Sequence, residues 1–175
     1  MKLKGISLVA TLAVALALAA PTAALAQTAP SAAPVSALPV VAAADQMELL
    51  KSKDPRLAKN KKLVFDFWRE VLEAGHMDLA EKYMAEDYRQ HNPTANTGRA
   101  AFIKIFGSRP PREISPTIKA PVVSIVAEGD LVVLSFVRTL PDPQDATKTY
   151  TTTWFDMLRV KDGKVVEHWD TATKR

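Results

Sequence analysis

Two ionisable residues near the C-terminus, His168 and Asp170, have side-chain types and a spacing suited to proton-transfer chemistry. They are two residues apart in a segment of strand-like composition, so both side chains are expected on one face of the strand. Imidazole has a pKa near neutral pH and can donate or accept a proton. A carboxylate in an apolar pocket has its pKa raised by desolvation, which makes it a stronger base near neutral pH. The pair predicts acid/base chemistry on a carbonyl compound.

The hairpin that carries this pair turns at Asp162-Gly163, a dipeptide typical of two-residue hairpin turns. A two-residue turn there places Met157 opposite His168. It also places Phe155 opposite Asp170. The His/Asp face would then have apolar walls, and both Phe155 and Met157 are predicted to line a pocket.

A different register is also compatible with the sequence. A bulge at Gly163 would shift the pairing by one residue and bring Asp156 to the same side as His168. Asp156 is therefore a reserve pocket candidate. Structural roles remain open as well: Asp170 could form an ion pair near the chain end, and His168 could be a partly buried histidine bonded to backbone.

A third candidate, His91, lies in the segment Tyr88 to Pro93, which the proline makes non-helical. Its alternative role is to satisfy free backbone groups, which Gln90 and Asn92 could do instead. Tyr88 is predicted to be a pocket wall rather than a proton donor. Trp68 and Phe102 each belong to an apolar pattern of helical spacing, in the first and third predicted helices, and are predicted to be core or pocket lining.

Other chemistries have little support in the composition. The chain has no cysteine, which excludes thiolate metal sites and cysteine nucleophiles. Its three histidines, at positions 76, 91 and 168, include no i, i+4 pair on a helix. Its six glycines form no phosphate-binding loop, and no Gly-x-Ser-x-Gly elbow occurs. We therefore expect no cofactor and no metal.

The elements that must position these residues fall into a helical half and a strand half. Helices are predicted from Asp54-Pro55 to Gly75, after a cap at Asp78, and over about 99–106. Strands are predicted over 122–127, 131–139, 149–160 and 164–171. Three helices followed by an antiparallel meander predict an α+β fold in which the helices cover one face of a curved sheet.

The N-terminal region has the three parts of a secretory signal. Lys2 and Lys4 are followed by an apolar run and a small-x-small cleavage site at Ala24-Leu25-Ala26. We predict a signal peptide over 1–26, a disordered Ala/Pro-rich linker over 27–44 and one domain over 45–175. The protein is expected to be secreted or periplasmic.

The net charge of the chain, +4, is mild and evenly spread. A charge of this size does not indicate nucleic-acid or membrane-surface binding. We expect no nucleic-acid partner, and no membrane association after signal cleavage. The expected partner is a small apolar molecule.

Two segments of the sequence resemble a known family. Tyr88-x-Gln90-His91-Asn92-Pro93 and the ending Glu167-His168-Trp169-Asp170 are similar to the SnoaL-like group of the nuclear transport factor 2-like superfamily. Phe67-Trp68 on the first helix and Phe155-Asp156 in the third strand fit the same pattern. The resemblance covers nearly all of the folded domain.

The resemblance implies a cone-shaped α+β barrel with a pocket at its open end, and frequent homodimers through the sheet. It also implies cofactor-free proton transfer, as in aldol ring closure of polyketides, and it favours a pocket position for His91. Export argues against ring closure of a polyketide, which takes place inside the cell. Three hypotheses follow: an acid/base lyase, isomerase or hydrolase with Asp170 as base and His91 or His168 as donor; a binding module for an apolar ligand; and a dimerising module with a vestigial pocket.

Overall fold

A computed structural model describes residues 38–174 as an α+β domain built on one curved five-stranded sheet. The strands are β1 (Met84–Gln90), β2 (Val122–Glu128), β3 (Leu131–Pro141), β4 (Thr149–Lys161) and β5 (Lys164–Asp170). Their order in the sheet is β1-β5-β4-β3-β2. The four C-terminal strands form the predicted antiparallel meander, and the α+β fold class is confirmed.

The resemblance implied a barrel, but the sheet is open, because β1 and β2 form its two edges. Strand β1 was not predicted, because its sequence has none of the alternation of a strand. It pairs parallel with β5, and this pairing brings Gln90 beside His168. The segment expected to be irregular is therefore part of the sheet up to Gln90.

The helices precede and interrupt the sheet. They are α1 (Gln46–Leu49), α2 (Pro55–Phe67) with a π-helical continuation (Trp68–Glu73), a 3₁₀ turn (Met77–Leu79), α3 (Ala80–Tyr83) and α4 (Arg99–Phe106). Asp54 caps α2 as predicted, with its carboxylate accepting from the N–H groups of Arg56 and Leu57. The helical run ends at Gly75, whose φ of 80° suits glycine. Asp78 lies inside the 3₁₀ turn, with no side-chain cap found there.

The core lies between α2 and the face of the sheet that α2 covers. Val64, Phe65 and Val71 are almost fully buried, as are Val132 and Leu134 of β3. Trp68 packs on Phe136 of β3 with ring centroids 4.6 Å apart. The apolar positions of the helix and of alternate strand positions thus fill one interior, which supports the long helix against the sheet.

The N-terminal predictions meet the structure only in part. The predicted signal peptide over 1–26 and the linker up to residue 37 lie outside the described residues. Residues 38–44 form no helix or strand, but Val40 donates to Thr151 Oγ1 and Ala43 donates to the Val122 carbonyl. Within residues 38–174, no helix has the length and apolar character needed to cross a membrane.

Candidate functional site

The hairpin between β4 and β5 sets which side chains face the helices. Its turn at Asp162-Gly163 has two residues, both with positive φ (50° and 71°), as predicted. Near the turn Val160 pairs with Val165, but the next pair is Arg159 with Glu167. Val166 is therefore an extra, bulged residue, and every later pairing is shifted by one position.

This shift corrects the first of the two predicted registers. His168 lies opposite Leu158, and Asp170 lies opposite Asp156. The predicted wall residues Phe155 and Met157 lie on the outer face of the sheet, and Phe155 is 47% exposed. Asp156, the reserve candidate, faces the helices.

His168 is held by hydrogen bonds at both ring nitrogens. Nδ1 lies 2.8 Å from Gln90 Oε1, and Nε2 lies 2.9 Å from Asp156 Oδ1. The backbone N–H of Asn92 also donates to Gln90 Oε1, at 3.0 Å, which identifies that atom as the amide oxygen. An amide oxygen only accepts hydrogen bonds, so Nδ1 of His168 carries a hydrogen.

The contact between His168 and Asp156 consequently contains one hydrogen. Since Nδ1–H already donates to Gln90, the hydrogen at the other nitrogen either makes the ring an imidazolium or protonates Asp156. Asp156 is only 5% exposed, and its second oxygen, Oδ2, has no hydrogen-bond partner within residues 38–174. Asp156 and His168 thus form a buried hydrogen-bonded pair with one unused carboxylate oxygen.

Asp170 accepts hydrogen bonds at both carboxylate oxygens and is less buried than Asp156. Asn92 Nδ2 donates to its Oδ2 at 2.7 Å, and the Ala172 N–H donates to its Oδ1 at 2.8 Å. The Thr94 N–H donates to Asn92 Oδ1, which fixes the orientation of the Asn92 amide. Each oxygen of Asp170 keeps a free lone pair, so the carboxylate is positioned to accept a further hydrogen.

Tyr88 supplies a hydroxyl at the same end of the site. Its oxygen accepts from Gln90 Nε2 at 3.0 Å, and no hydrogen bond donated by the hydroxyl is found within residues 38–174. Burial raises the pKa of Tyr88 well above its ordinary value, with smaller contributions from the charges of Asp170 and Asp156. The hydroxyl therefore keeps its hydrogen near neutral pH. Sequence reasoning assigned Tyr88 to the wall and missed this donor, for which the one available signal was its i, i+2 spacing from Gln90.

These polar groups border a cavity of about 390 Å³ between the sheet and the helices. This volume lies at the lower end of the range of about 300–1,000 Å³ found for small-molecule sites. Its lining is mostly apolar: Phe67, Trp68, Leu72, Glu73, Tyr88, Gln90, Asn92, Ala95, Phe102, Phe106, Ala120, Asp156, Leu158, His168 and Asp170. Four predicted pocket residues (Trp68, Tyr88, Phe102 and Asp156) and two predicted catalytic residues (His168 and Asp170) are among them.

Three of the lining residues, Trp68, Leu72 and Glu73, belong to the π-helical continuation of α2. A π-helical turn changes the direction of the following side chains and is frequent at functional sites. The Glu73 carboxylate accepts from the N–H groups of Lys119 and Ala120. No lysine or arginine lines the cavity among the described residues, so an anionic ligand would have no counter-charge there.

The family resemblance favoured a pocket position for His91, but this residue lies outside the cavity. Its ring is stacked on Trp169 with centroids 4.7 Å apart and an interplanar angle of 1°. Its Nε2 lies 3.4 Å from Glu167 Oε2 on the outer face of the sheet. The reason is strand alternation: His91 follows Gln90 directly, and Gln90 points into the cavity.

Comparison with known proteins identifies a family for the chain. A family model described as a SnoaL-like domain matches residues 65–168, which is more than half of the 175-residue chain. No curated protein matches the chain by sequence.

The solved structures that match the chain include a proposed SnoaL-like polyketide cyclase from Jannaschia sp. (TM-score 0.48, 17% identity, covering 69% of this chain and 91% of that one). A proposed polyketide cyclase from Acidithiobacillus ferrooxidans has a TM-score of 0.45 and 18% identity, covering 69% and 89%. An LEH-like epoxide hydrolase from M. tuberculosis has a TM-score of 0.44 and 14% identity, covering 64% and 80%.

Proposed function

The chain belongs to the SnoaL-like domain family, and on this premise we propose that it acts on a small, neutral, largely apolar carbonyl compound by acid/base chemistry without a cofactor. Asp170 is the proton acceptor, and the Tyr88 hydroxyl is the hydrogen-bond donor. The observation that carries the proposal is that a carboxylate with free lone pairs and an unused O–H group border one apolar cavity.

The chemistry follows from these two groups. Asp170 takes a proton from the carbon next to the carbonyl group, and negative charge develops on the carbonyl oxygen. Tyr88 donates its hydrogen bond to that oxygen and so stabilises the enolate. The proton then returns to the same or another carbon, or the enolate attacks a second carbonyl group. Isomerisation and aldol-type reactions share this first step.

Asp156 and His168 have a positioning role in the proposal. Their shared hydrogen limits the negative charge beside Asp170, and His168 holds Gln90, which in turn holds the Tyr88 hydroxyl. The sequence favoured His91 or His168 as the donor. In the proposal Tyr88 takes this role, because His91 lies on the other face of the sheet and both ring nitrogens of His168 already have partners.

Deuterium exchange tests the proposal without knowledge of the natural substrate. A panel of small neutral ketones is incubated with the protein in D₂O, and loss of the proton signal next to the carbonyl is followed by NMR. We expect Asp170→Asn to slow exchange by about 10²–10⁴-fold and Tyr88→Phe by about 10²–10³-fold. His91→Ala is the matched control and should retain the rate of the unmodified protein. Equal rates for Asp170→Asn and the unmodified protein would contradict the assignment.

A second candidate function is non-catalytic binding of an apolar ligand in the same cavity. It is favoured by the fact that both nitrogens of His168 and both oxygens of Asp170 already have partners within the protein. Native mass spectrometry of protein purified from its own host distinguishes the two, since a retained, chemically unchanged ligand supports binding.

We further propose that the protein acts outside the cytoplasm and pairs through its sheet. Export is supported by the signal-like sequence over 1–26, and N-terminal sequencing of the mature protein tests it. Pairing is supported by the exposed apolar side chains of Val126 (53%) and Phe155 (47%) on the sheet. Phe155→Glu should reduce the mass measured by light scattering to that of a single chain.

A further inference from the structure

We propose that Asp156, His168 and Asp170 bind one divalent transition-metal ion at the polar end of the cavity. Each residue offers one ligand atom, and these atoms lie within 4.8 Å of one another. Sequence reasoning dismissed a metal because it looked for two histidines at helical spacing. Here one histidine and one aspartate come from β5 and the second aspartate comes from β4, directly across the hairpin.

The unpartnered oxygen of Asp156 is an independent indication of a ligand. Asp156 is only 5% exposed, and among the described residues no donor forms a hydrogen bond with its Oδ2. Leaving a buried charged oxygen without a partner is costly, and such atoms are rare in folded proteins. A cation bound by both oxygens of the Asp156 carboxylate, beside His168 Nε2, supplies the missing partner of Oδ2.

The hydrogen bonds behind the three side chains have the pattern found around metal sites. A metal-binding histidine typically donates its other ring N–H to a carbonyl or carboxylate, and the ligating carboxylates are themselves hydrogen-bonded. His168 Nδ1–H donates to Gln90 Oε1, which leaves Nε2 for the ion. Asn92 donates to Asp170 and leaves its carboxylate a free lone pair on each oxygen.

The spacing suits one ion. Ligand atoms bound at about 2.0–2.2 Å to a common ion lie about 3–3.5 Å apart, and Nε2 of His168 lies 2.9 Å from Asp156 Oδ1. The ligand atom of Asp170 lies within 4.8 Å of the other two. It would therefore need to move toward them by no more than about 1–2 Å to reach the separation of about 3–3.5 Å. The hydrogen between Nε2 and Oδ1 leaves as the ion enters.

The donor set selects the class of ion. One imidazole nitrogen with two carboxylates suits Zn²⁺, Co²⁺, Mn²⁺ or Fe²⁺, whereas Mg²⁺ and Ca²⁺ prefer oxygen alone. Metal binding does not depend on the proposed catalysis. If both hold, a bound ion occupies Asp170 and inhibits the proton transfer.

The test uses the full chain after treatment with a chelator. Co²⁺ is added in small steps, and its visible absorption and the bound metal after dialysis are measured. We expect one ion per chain, displaced by Zn²⁺. Asp170→Asn should weaken binding at least tenfold. Gln90→Leu, which removes the hydrogen-bond partner of the His168 ring but none of the three proposed ligands, should weaken it by about 10–100-fold.

The control is His91→Ala, because His91 and Glu167 on the outer face are a second pair of metal-binding side chains. Binding that is lost in His91→Ala and retained in Asp170→Asn would overturn the proposal, as would the absence of bound Co²⁺. Circular dichroism of Asp170→Asn and Gln90→Leu confirms that each is folded. If one variant fails to fold, the other decides. Since no substrate is used, the outcome is separate from that of the deuterium-exchange experiment.

Discussion

Asp156 lies directly opposite Asp170 across strands β4 and β5, with both side chains toward the cavity. Like charges at directly opposed strand positions destabilise a sheet. In this protein each carboxyl group has its own hydrogen-bond partners: His168 for Asp156, and Asn92 with the Ala172 N–H for Asp170. The hydrogen between Asp156 and His168 also reduces the charge of the pair. The two opposed carboxyl groups are thus tolerated because each one is hydrogen-bonded to a different side chain, His168 or Asn92.

We predict that His168 carries a hydrogen on Nδ1 at every pH at which the domain is folded, because Gln90 Oε1 can only accept. Long-range ¹H–¹⁵N spectra of uniformly labelled protein distinguish the histidine tautomers. The signals of the other histidines are assigned with His76→Ala and His91→Ala. Observation of a neutral His168 ring with its hydrogen on Nε2 alone would contradict the prediction.

The turn at Asp162-Gly163 was predictable because its two residues favour positive φ and so specify a two-residue hairpin. The bulge at Val166 was not, because valine is an ordinary strand residue and no local signal distinguishes it from its neighbours. The choice between registers depends on burying Leu158 rather than Met157 against the helices. The burial of Leu158 is a property of the assembled core, and the register that goes with it determines that Asp156 lines the cavity.

Strand β1 is a second element that depends on a long-range contact and could not be predicted from the local sequence. Its residues include Glu86, Asp87 and Arg89, and this composition predicts a polar connection rather than a strand. It is a strand because one edge is solvated and the other pairs with β5. Gln90, which orients both His168 and Tyr88, and the outward position of His91 both follow from that long-range pairing. The fold class and the four C-terminal strands depend on local patterns and were predicted correctly.

We predict that Tyr83→Phe destabilises the domain by about 1.5–3 kcal/mol, the usual contribution of a hydrogen bond to a charged group. The buried Tyr83 hydroxyl donates to Glu70 Oε2 at 2.5 Å, and the phenylalanine variant would leave that oxygen with Lys82 alone. Urea unfolding followed by circular dichroism measures the change in free energy. Tyr150→Phe is the matched control, since Tyr150 is 43% exposed and its loss should change stability by less than about 0.5 kcal/mol.

We predict that Tyr88 remains protonated in the folded protein above pH 10. Burial raises its pKa, so the folded state favours the neutral hydroxyl more than the unfolded chain does. The resulting stabilisation is fully present below the ordinary tyrosine pKa of about 10 and is lost as pH rises above it, because the unfolded chain ionises first.

Ultraviolet titration of tyrosinate absorbance measures this, with Tyr88→Phe subtracted from the unmodified protein. The difference should show no ionisation while circular dichroism remains native. Half-ionisation near pH 10 in a folded sample would show that the hydroxyl is open to water, and its role as a protected donor would fail.

The final prediction concerns the cavity itself. Ala95 lines the cavity from the loop between β1 and α4, and it is partly exposed. Ala95→Trp should place an indole across the cavity without removing any polar group of the site. Binding of a neutral apolar fluorescent probe, followed by quenching of tryptophan fluorescence, should weaken at least tenfold, because a cavity of about 390 Å³ has no room for both the indole and the probe.

Ala100→Trp is the matched control, because Ala100 is exposed on α4 and is absent from the cavity lining. It makes the same change of side chain five residues further along the chain and should leave probe affinity unchanged. Trp68 is the tryptophan that lines the cavity, so Trp68→Phe should remove most of the quenching while retaining the fold. If Ala95→Trp binds the probe as tightly as Ala100→Trp does, the probe binds elsewhere on the protein, and the cavity between α2 and the sheet is not its binding site.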